Sequence, residues 1–295
     1  MARRLDLRLI SRSFAALCLA PLLSCAPGRA PATERPRLFL RLAEERAGEH
    51  PSLAAEAEFV AACERGAAGA VRVRVFPGGE LGDEASVVEQ LRFGGIDLAR
   101  VQVRALEALA PTAGGLAAPG RFPSAESLRQ ALAGPEGEAL ASELLAAKLV
   151  LLAWYDGGPE SFLLPPGAAA AGPAGLRVGV EPSRSAMDLV AARGGTPVPL
   201  ALREFRRAFD AGLVDAFFLP RLAAESERLS DRLAPLELAD SRSVELLVAS
   251  RSIYQKMLPV DRGLVLKAAR ESQLKQAVFC AEAERRRAGG GEIKP

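Results

Sequence analysis

The stretch from Val71 to Ala99, VRVRVFPGGELGDEASVVEQLRFGGIDLA, leaves the chain little local freedom. Val71, Val73 and Val75 alternate with Arg72 and Arg74, the period-two pattern of a half-buried strand. Pro77-Gly78-Gly79 breaks that strand. Asp83 is placed to cap a helix whose apolar face is Val87, Val88 and Leu91, and Gly94-Gly95 ends it before a strand from Ile96 to Val101. Strand, helix and strand in that order make a parallel crossover. The same alternation runs on: strand Leu38 to Leu42, helix Ser52 to Arg65, helices Ala125 to Leu132 and Glu136 to Lys148, and a nearly continuous apolar strand from Leu149 to Trp154. Phe162 to Gly175 reads as an apolar, Pro- and Ala-rich loop. Strand Leu176 to Val180, helices Ser183 to Arg193 and Leu202 to Ala211, strands Leu213 to Phe218 and Val244 to Ser250, and an amphipathic region from Pro259 to Arg287 follow. The pattern predicts an α/β protein.

The first residues read as an export signal over 1–24. Arg3, Arg4, Arg8 and Arg12 precede an apolar run, Phe14 to Leu23, too short to span a bilayer. Leu22-Leu23-Ser24-Cys25 resembles a bacterial lipobox, which makes Cys25 the lipidation site and 25–37 a Pro- and Ala-rich tether; an ordinary signal with an incidental cysteine is the other reading. The expected location is the periplasm, lipid-anchored to a bacterial membrane. A net charge of +2 argues against a nucleic-acid partner. Cys18 leaves with the signal, and Cys63, on the apolar side of its helix, is expected as a buried free thiol, with pairing to Cys280 the alternative. Enzyme chemistry finds no support. His50 is the sole histidine, expected as a surface or capping residue beside Pro51. No Cys/His set has metal-ligand spacing and no phosphate loop occurs, so neither a catalytic residue, a metal nor a cofactor is expected. Asp83-Glu84 fits a helix N-terminus stabilised by its dipole.

Several segments together resemble the substrate-binding proteins of tripartite ATP-independent periplasmic (TRAP) transporters, the DctP-like family. They are Val75-Phe76-Pro77-Gly78, Leu81-Gly82-Asp83, Gly95-Ile96-Asp97-Leu98-Ala99, Trp154-Tyr155-Asp156-Gly157-Gly158, Gly175 to Val180, Gly194-Gly195-Thr196-Pro197-Val198-Pro199-Leu200 and Ala208 to Ala216, in family order from about Leu38 to Lys275. The resemblance implies a two-lobed α/β solute-binding fold with an interlobe cleft. By match, the first lobe holds 38–155 and 245–285, the second 156–244, with a tail at 286–295 and a second lobe lacking a C-terminal piece. It also implies a small organic solute and integral membrane transporter subunits as partners.

The same resemblance places a carboxylate-clamping arginine at position 179, where this chain has Gly179. A carboxylate in a dry cleft needs a paired, bidentate donor, which is why the family position matters. A second arginine position falls at Glu160, and a polar pair falls at Phe218-Leu219. These departures imply a cleft with less positive charge and more apolar surface. Arg177, Arg184 and Arg221 are the candidate substitutes, with a solvated surface charge the commoner outcome for each. Trp154 and Tyr155 are candidate stacking surfaces, with closure of the hydrophobic core the other reading for Trp154, and Asp215 is a further matched cleft position. The contrasting expectation is a non-transporting relative acting as a sensory or protein-interaction lipoprotein.

Overall fold

A computed structural model describes residues 38–168 and 170–289. The segments read as an export signal and a tether, Cys25 included, and residues 290–295 lie outside the described residues.

The opening crossover forms as the pattern requires. Strands β1 (Leu38–Ala43) and β2 (Val71–Phe76) pair in parallel, with Leu40 opposite Val73, and helix α1 (Pro51–Gly66) joins them. Helix α2 (Glu84–Phe93) then carries the chain over β1 to β3 (Leu98–Gln102), which pairs in parallel on the other side of β1. Local chemistry fixes the helix ends. Asp83 Oδ1 accepts from the Ser86 N–H at 2.8 Å, and Gly94 closes α2 at φ 77°, a left-handed conformation that glycine adopts without a Cβ penalty. His50 caps α1, its Nδ1 accepting from the Ser52 N–H at 3.2 Å, yet it is buried rather than at the surface.

Helices α3 (Pro111–Leu116), α4 (Ala125–Ala133) and α5 (Pro135–Ala146) follow. The chain then enters β4 (Leu149–Leu164), β5 (Arg177–Val180), α6 (Arg184–Ala192), β6 (Thr196–Pro199), α7 (Phe205–Asp210), β7 (Ala216–Pro220) and α8 (Arg221–Ser226). It returns through β8 (Ala234–Ser250) and ends in α9 (Arg251–Lys256) and α10 (Pro259–Gly289). One eight-stranded sheet results, in the order β2-β1-β3-β8-β4-β7-β5-β6. The long antiparallel pair β4 and β8 serves both ends: β3 pairs with β8 at Leu98–Gln102, whereas β7 pairs with β4 at Glu160–Leu163. These two ends are the lobes, the first on β1–β3 and the second on β5–β7.

Two differences from the sequence reading share one cause. Strand β4 continues through Leu164, where a loop was expected from Phe162, and β8 begins at Ala234 instead of Val244. Asp156-Gly157-Gly158-Pro159 looks like a turn, but pairing to β8 absorbs it through register shifts between Asp156 and Ser161. Strand β6, which shows no alternating pattern, forms because β5 offers it a parallel edge.

Each lobe packs apolar side chains on both sheet faces. In the first, Val87, Leu91, Leu128 and Leu140 cover one face and Phe59, Cys63, Val265 and Ala269 the other. In the second, Phe205, Phe217 and Leu219 lie on one face and Phe162, Val180 and Phe218 on the opposite one, as strand alternation demands. Cys63 and Cys280 are both buried and free. Burial pushes the Cys63 thiol up to about 12. No helix among the described residues is long and apolar enough to cross a membrane.

Candidate functional site

The lobes meet over buried charge. Glu44, Glu45 and Arg46 leave the end of β1, Glu84 opens α2, Arg100 and Gln102 sit in β3, Glu245 in β8, and Glu181 just past β5. Buried charges survive only when paired and hydrogen-bonded. Arg100 is the main counter-ion: Nε donates to Glu44 Oε2 at 2.7 Å, Nη1 to Glu84 Oε1 at 3.1 Å, and Glu245 Oε1 stands 3.6 Å away. Ser52 Oγ donates to Glu245 Oε2 at 2.5 Å.

Carboxyl groups outnumber guanidinium groups in this network, so they divide between charged and protonated forms. Burial opposes the charge on Glu44, but Arg100 overrides it and holds the carboxyl down at about 2. Glu245 is likewise lowered by Arg100 against the pull of burial. Glu45 is pushed up to about 9 by burial and by Glu181 and Glu84, and Glu84 to about 7, where burial outweighs Arg100. Glu56 is raised well above its ordinary value, first by burial and then by the neighbouring Glu44. His50 is driven down to about 4, first by burial, and stays neutral.

Several contacts cross between the lobes. Gln102 Nε2 donates to Glu181 Oε2 at 2.5 Å, Arg46 Nη1 lies 3.5 Å from Glu181 Oε1, and the Leu202 N–H donates to Glu45 Oε1 at 3.2 Å. The Ser185 N–H donates to Glu107 at 3.1 Å, and Arg104 pairs with Glu160 while lying 5.2 Å from the Phe218 ring centre. What remains open is a cavity of about 30 Å³ lined by Glu45, Glu84, Gln102, Arg104, Glu181 and Ser183, enough for one or two water molecules.

The sequence-derived positions scatter around this cleft. Gly179 sits buried in β5 against Phe217: a Cβ there would meet Phe217 Cδ1 at 2.7 Å, so the ring fills the space an arginine side chain would need. Glu160 is buried, bound by Arg104 and by Ser241 Oγ at 2.7 Å. Phe218 and Leu219 are buried in the cores on opposite sheet faces. Arg177 and Asp215 pair with each other at 2.7 Å on the surface, and Arg184 is 89% exposed beside Asp188. Arg221 pairs with Glu225 at 2.9 Å. Tyr155 is buried, its hydroxyl 2.8 Å from Ser272 Oγ, whereas Trp154 lines a second cavity of about 150 Å³ with Asp156, Arg242, Cys280 and Glu284. Arg46, Arg100, Gln102 and Glu181 went unnoticed in the sequence. Their signal was charge at the end of an apolar strand, in Glu44-Glu45-Arg46, and inside one, in Arg100.

Two acidic groupings among the described residues have metal-holding geometry, Glu45/Glu84/Glu181 and Asp156/Cys280/Glu284. Each already holds an arginine: Arg100 and Arg46 serve the first, and Arg242, 2.8 Å from Asp156, the second.

Two α/β lobes joined by long shared strands, with a polar cleft between them, define the class of solute-binding proteins. The family described as bacterial extracellular solute-binding protein, family 7, matches residues 42–288, and the chain belongs to it; these are the TRAP substrate-binding proteins. A solute-binding protein of Chromohalobacter salexigens is 24% identical over 224 residues, 72% of this chain, and the chain spans 65% of that relative, less than two thirds of its length. A TRAP periplasmic solute-binding protein of Roseobacter denitrificans with bound β-D-glucuronate superposes with a TM-score of 0.78 at 23% identity, over 86% of each chain. One from a Bradyrhizobium species, in complex with D-galacturonate, gives 0.76 at 27% identity over 87% of each. Each of these relatives is described as a solute-binding protein.

Proposed function

We propose that this protein is the solute receptor of a TRAP-type transporter: it captures a small organic acid in the interlobe cleft and delivers it to integral membrane subunits. The supporting observation is the cleft itself, lined from both lobes by Glu45, Glu84, Gln102, Arg104 and Glu181. Carboxylates and amides in a confined space orient hydroxyl groups, and the similar proteins carry glucuronate and galacturonate. The first lobe comprises 38–155 and 245–285, the second 156–244, and the bulged run from Asp156 to Ser161 in β4 is the flexing point. Closure is favoured only by solute contacts that the open form lacks. Acylation of Cys25 anchors the protein at the membrane.

A thermal-shift screen of sugar acids, other carboxylates and neutral polyols tests the receptor function. A solute at a hundred times its Kd adds about 2.7 kcal/mol, or roughly 5–10 °C for a body of this size. No shift with any member of a broad library would sink the proposal. For the anchor, wild-type protein is expected in the membrane fraction and Cys25→Ala in soluble or unprocessed form; soluble wild type with an unmodified N-terminus would refute it.

A further inference from the structure

Among the described residues, Arg46 is a buried charge left without hydrogen bonds on its side chain. Its side chain is fully buried, and none of Nε, Nη1 or Nη2 has a hydrogen-bond partner. Five donors left unused in a dry site mark a place built for an acceptor. The backbone cannot swing the group away: the Arg46 N–H donates to Glu44 Oε1 at 2.5 Å and its carbonyl accepts from the Gly78 N–H at 2.9 Å. Among the described residues two carboxylates stand within ion-pair range of its guanidinium, Glu181 at 3.5 Å and Glu245 at 3.9 Å, without hydrogen-bond geometry.

Glu181 is the one that comes from the opposite lobe. Its Oε2 accepts from Gln102, and its Oε1 faces Arg46 with no hydrogen bond. Gln102 is itself held in place, its N–H donating to Glu84 Oε1 at 3.0 Å and its Oε1 accepting from Ser243 Oγ at 3.4 Å. A fixed amide donor and a fixed guanidinium thus converge from the first lobe on one carboxylate of the second. That carboxylate lines a cavity too small for any sugar acid.

We propose that Arg46 and Gln102 form a carboxylate seat on the first lobe, that an acidic solute places its carboxylate there, and that Glu181 is a built-in occupant which the solute must displace. The proposal rests on the solute-receptor function above and adds where the anion goes. It also explains how the chain dispenses with an arginine at position 179: the guanidinium is on the other lobe. Glu181 closes the lobes in the absence of solute, and a solute binds by exchanging one carboxylate for another on the same donors.

The test uses the full chain, with D-galacturonate as the probe. Small-angle scattering without solute reads lobe closure, and calorimetry reads affinity, for wild type, Glu181→Gln and Glu181→Ala. The expected results are a larger radius of gyration for Glu181→Ala and at least a tenfold gain in galacturonate affinity, with Glu181→Gln between the two proteins. Adding Arg46→Met to Glu181→Ala should abolish the gain; where that variant does not fold, Gln102→Leu in its place should reduce it. Unchanged scattering together with unchanged affinity in Glu181→Ala overturns the seat and its occupant, and leaves the receptor function standing if wild type binds. An opened Glu181→Ala that binds no solute of any class supports Glu181 as the closing contact, removes the solute from the seat, and overturns the receptor function instead.

Discussion

Replacing Gly179 with alanine pits two effects of opposite sign against each other. Gly179 has no left-handed backbone requirement, so a methyl group would ordinarily stabilise the strand by about 0.4–1 kcal/mol through the unfolded chain. The new Cβ, however, meets Phe217 Cδ1 at 2.7 Å and Cε1 at 3.0 Å, well inside the roughly 3.5–4.0 Å of a comfortable carbon contact. The ring cannot retreat easily: Phe217 is fully buried, stacked on Phe205 at 4.9 Å between ring centres and flanked by Phe209 at 5.8 Å. Overpacking of this kind costs about 1–3 kcal/mol, so the clash wins and Gly179→Ala destabilises. Phe217→Ala alone should cost about 3–5 kcal/mol through the cavity it leaves. In that background the added methyl has room, and Gly179→Ala should become neutral or mildly stabilising. Urea unfolding of the four proteins of this double-mutant cycle should give a coupling of about 1–3 kcal/mol. Strictly additive costs, or a neutral Gly179→Ala in the wild type, would refute the packing argument. An arginine at 179 meets the same obstacle in a larger form, so Gly179→Arg should unfold the second lobe before it clamps anything.

Stability should fall as the solution turns alkaline. Folded Glu45 keeps its proton to about 9 whereas the unfolded side chain loses it near 4.5, so between these values the native state binds more protons and stability drops as pH rises. His50 works the other way, its folded value of about 4 lying below the ordinary 6.5, but its contribution is complete above pH 6.5. Glu45→Gln should therefore stabilise the protein by about 1–3 kcal/mol more at pH 9 than at pH 6.5 in urea titrations, and an equal effect at both pH values would count against it. Arg100→Met strips the counter-ion from Glu44, Glu84 and Glu245 together and should cost about 3–5 kcal/mol or prevent folding at neutral pH; a loss under 1 kcal/mol would show the network to be dispensable. Asp83→Ala removes the acceptor of the Ser86 N–H and should cost about 1 kcal/mol in thermal unfolding, with no loss if that cap is idle.

Local rules made the ends of the sheet readable. The alternation of Val71, Val73 and Val75, the Asp83 cap and the Gly94 stop each act within a few residues, so they appear as pattern, and β1–β3 with α1 and α2 formed within a residue or two of expectation. The family segments placed the two-lobed fold for the same reason, because turns and caps demand particular residue types. The middle of the sheet was hidden. Asp156-Gly157-Gly158-Pro159 has the composition of a turn, and its extended state depends on β8, which runs antiparallel to it more than eighty residues later, as in the pairing of Pro159 with Arg242.

The cleft divides along the same line. That the position of the expected clamp is glycine could be read directly from the sequence, and so could the acids and arginine that follow β1. That Phe217 fills the space beside Gly179, that the Arg46 guanidinium is buried with no hydrogen-bond partner, and that Glu181 reaches it from the other lobe depended on the packing of separate segments. Short-range sterics and hydrogen bonding set the elements one by one. The electrostatics of the site exist only where distant carboxylates and guanidiniums share one desolvated space, because that desolvation decides which of them hold charge.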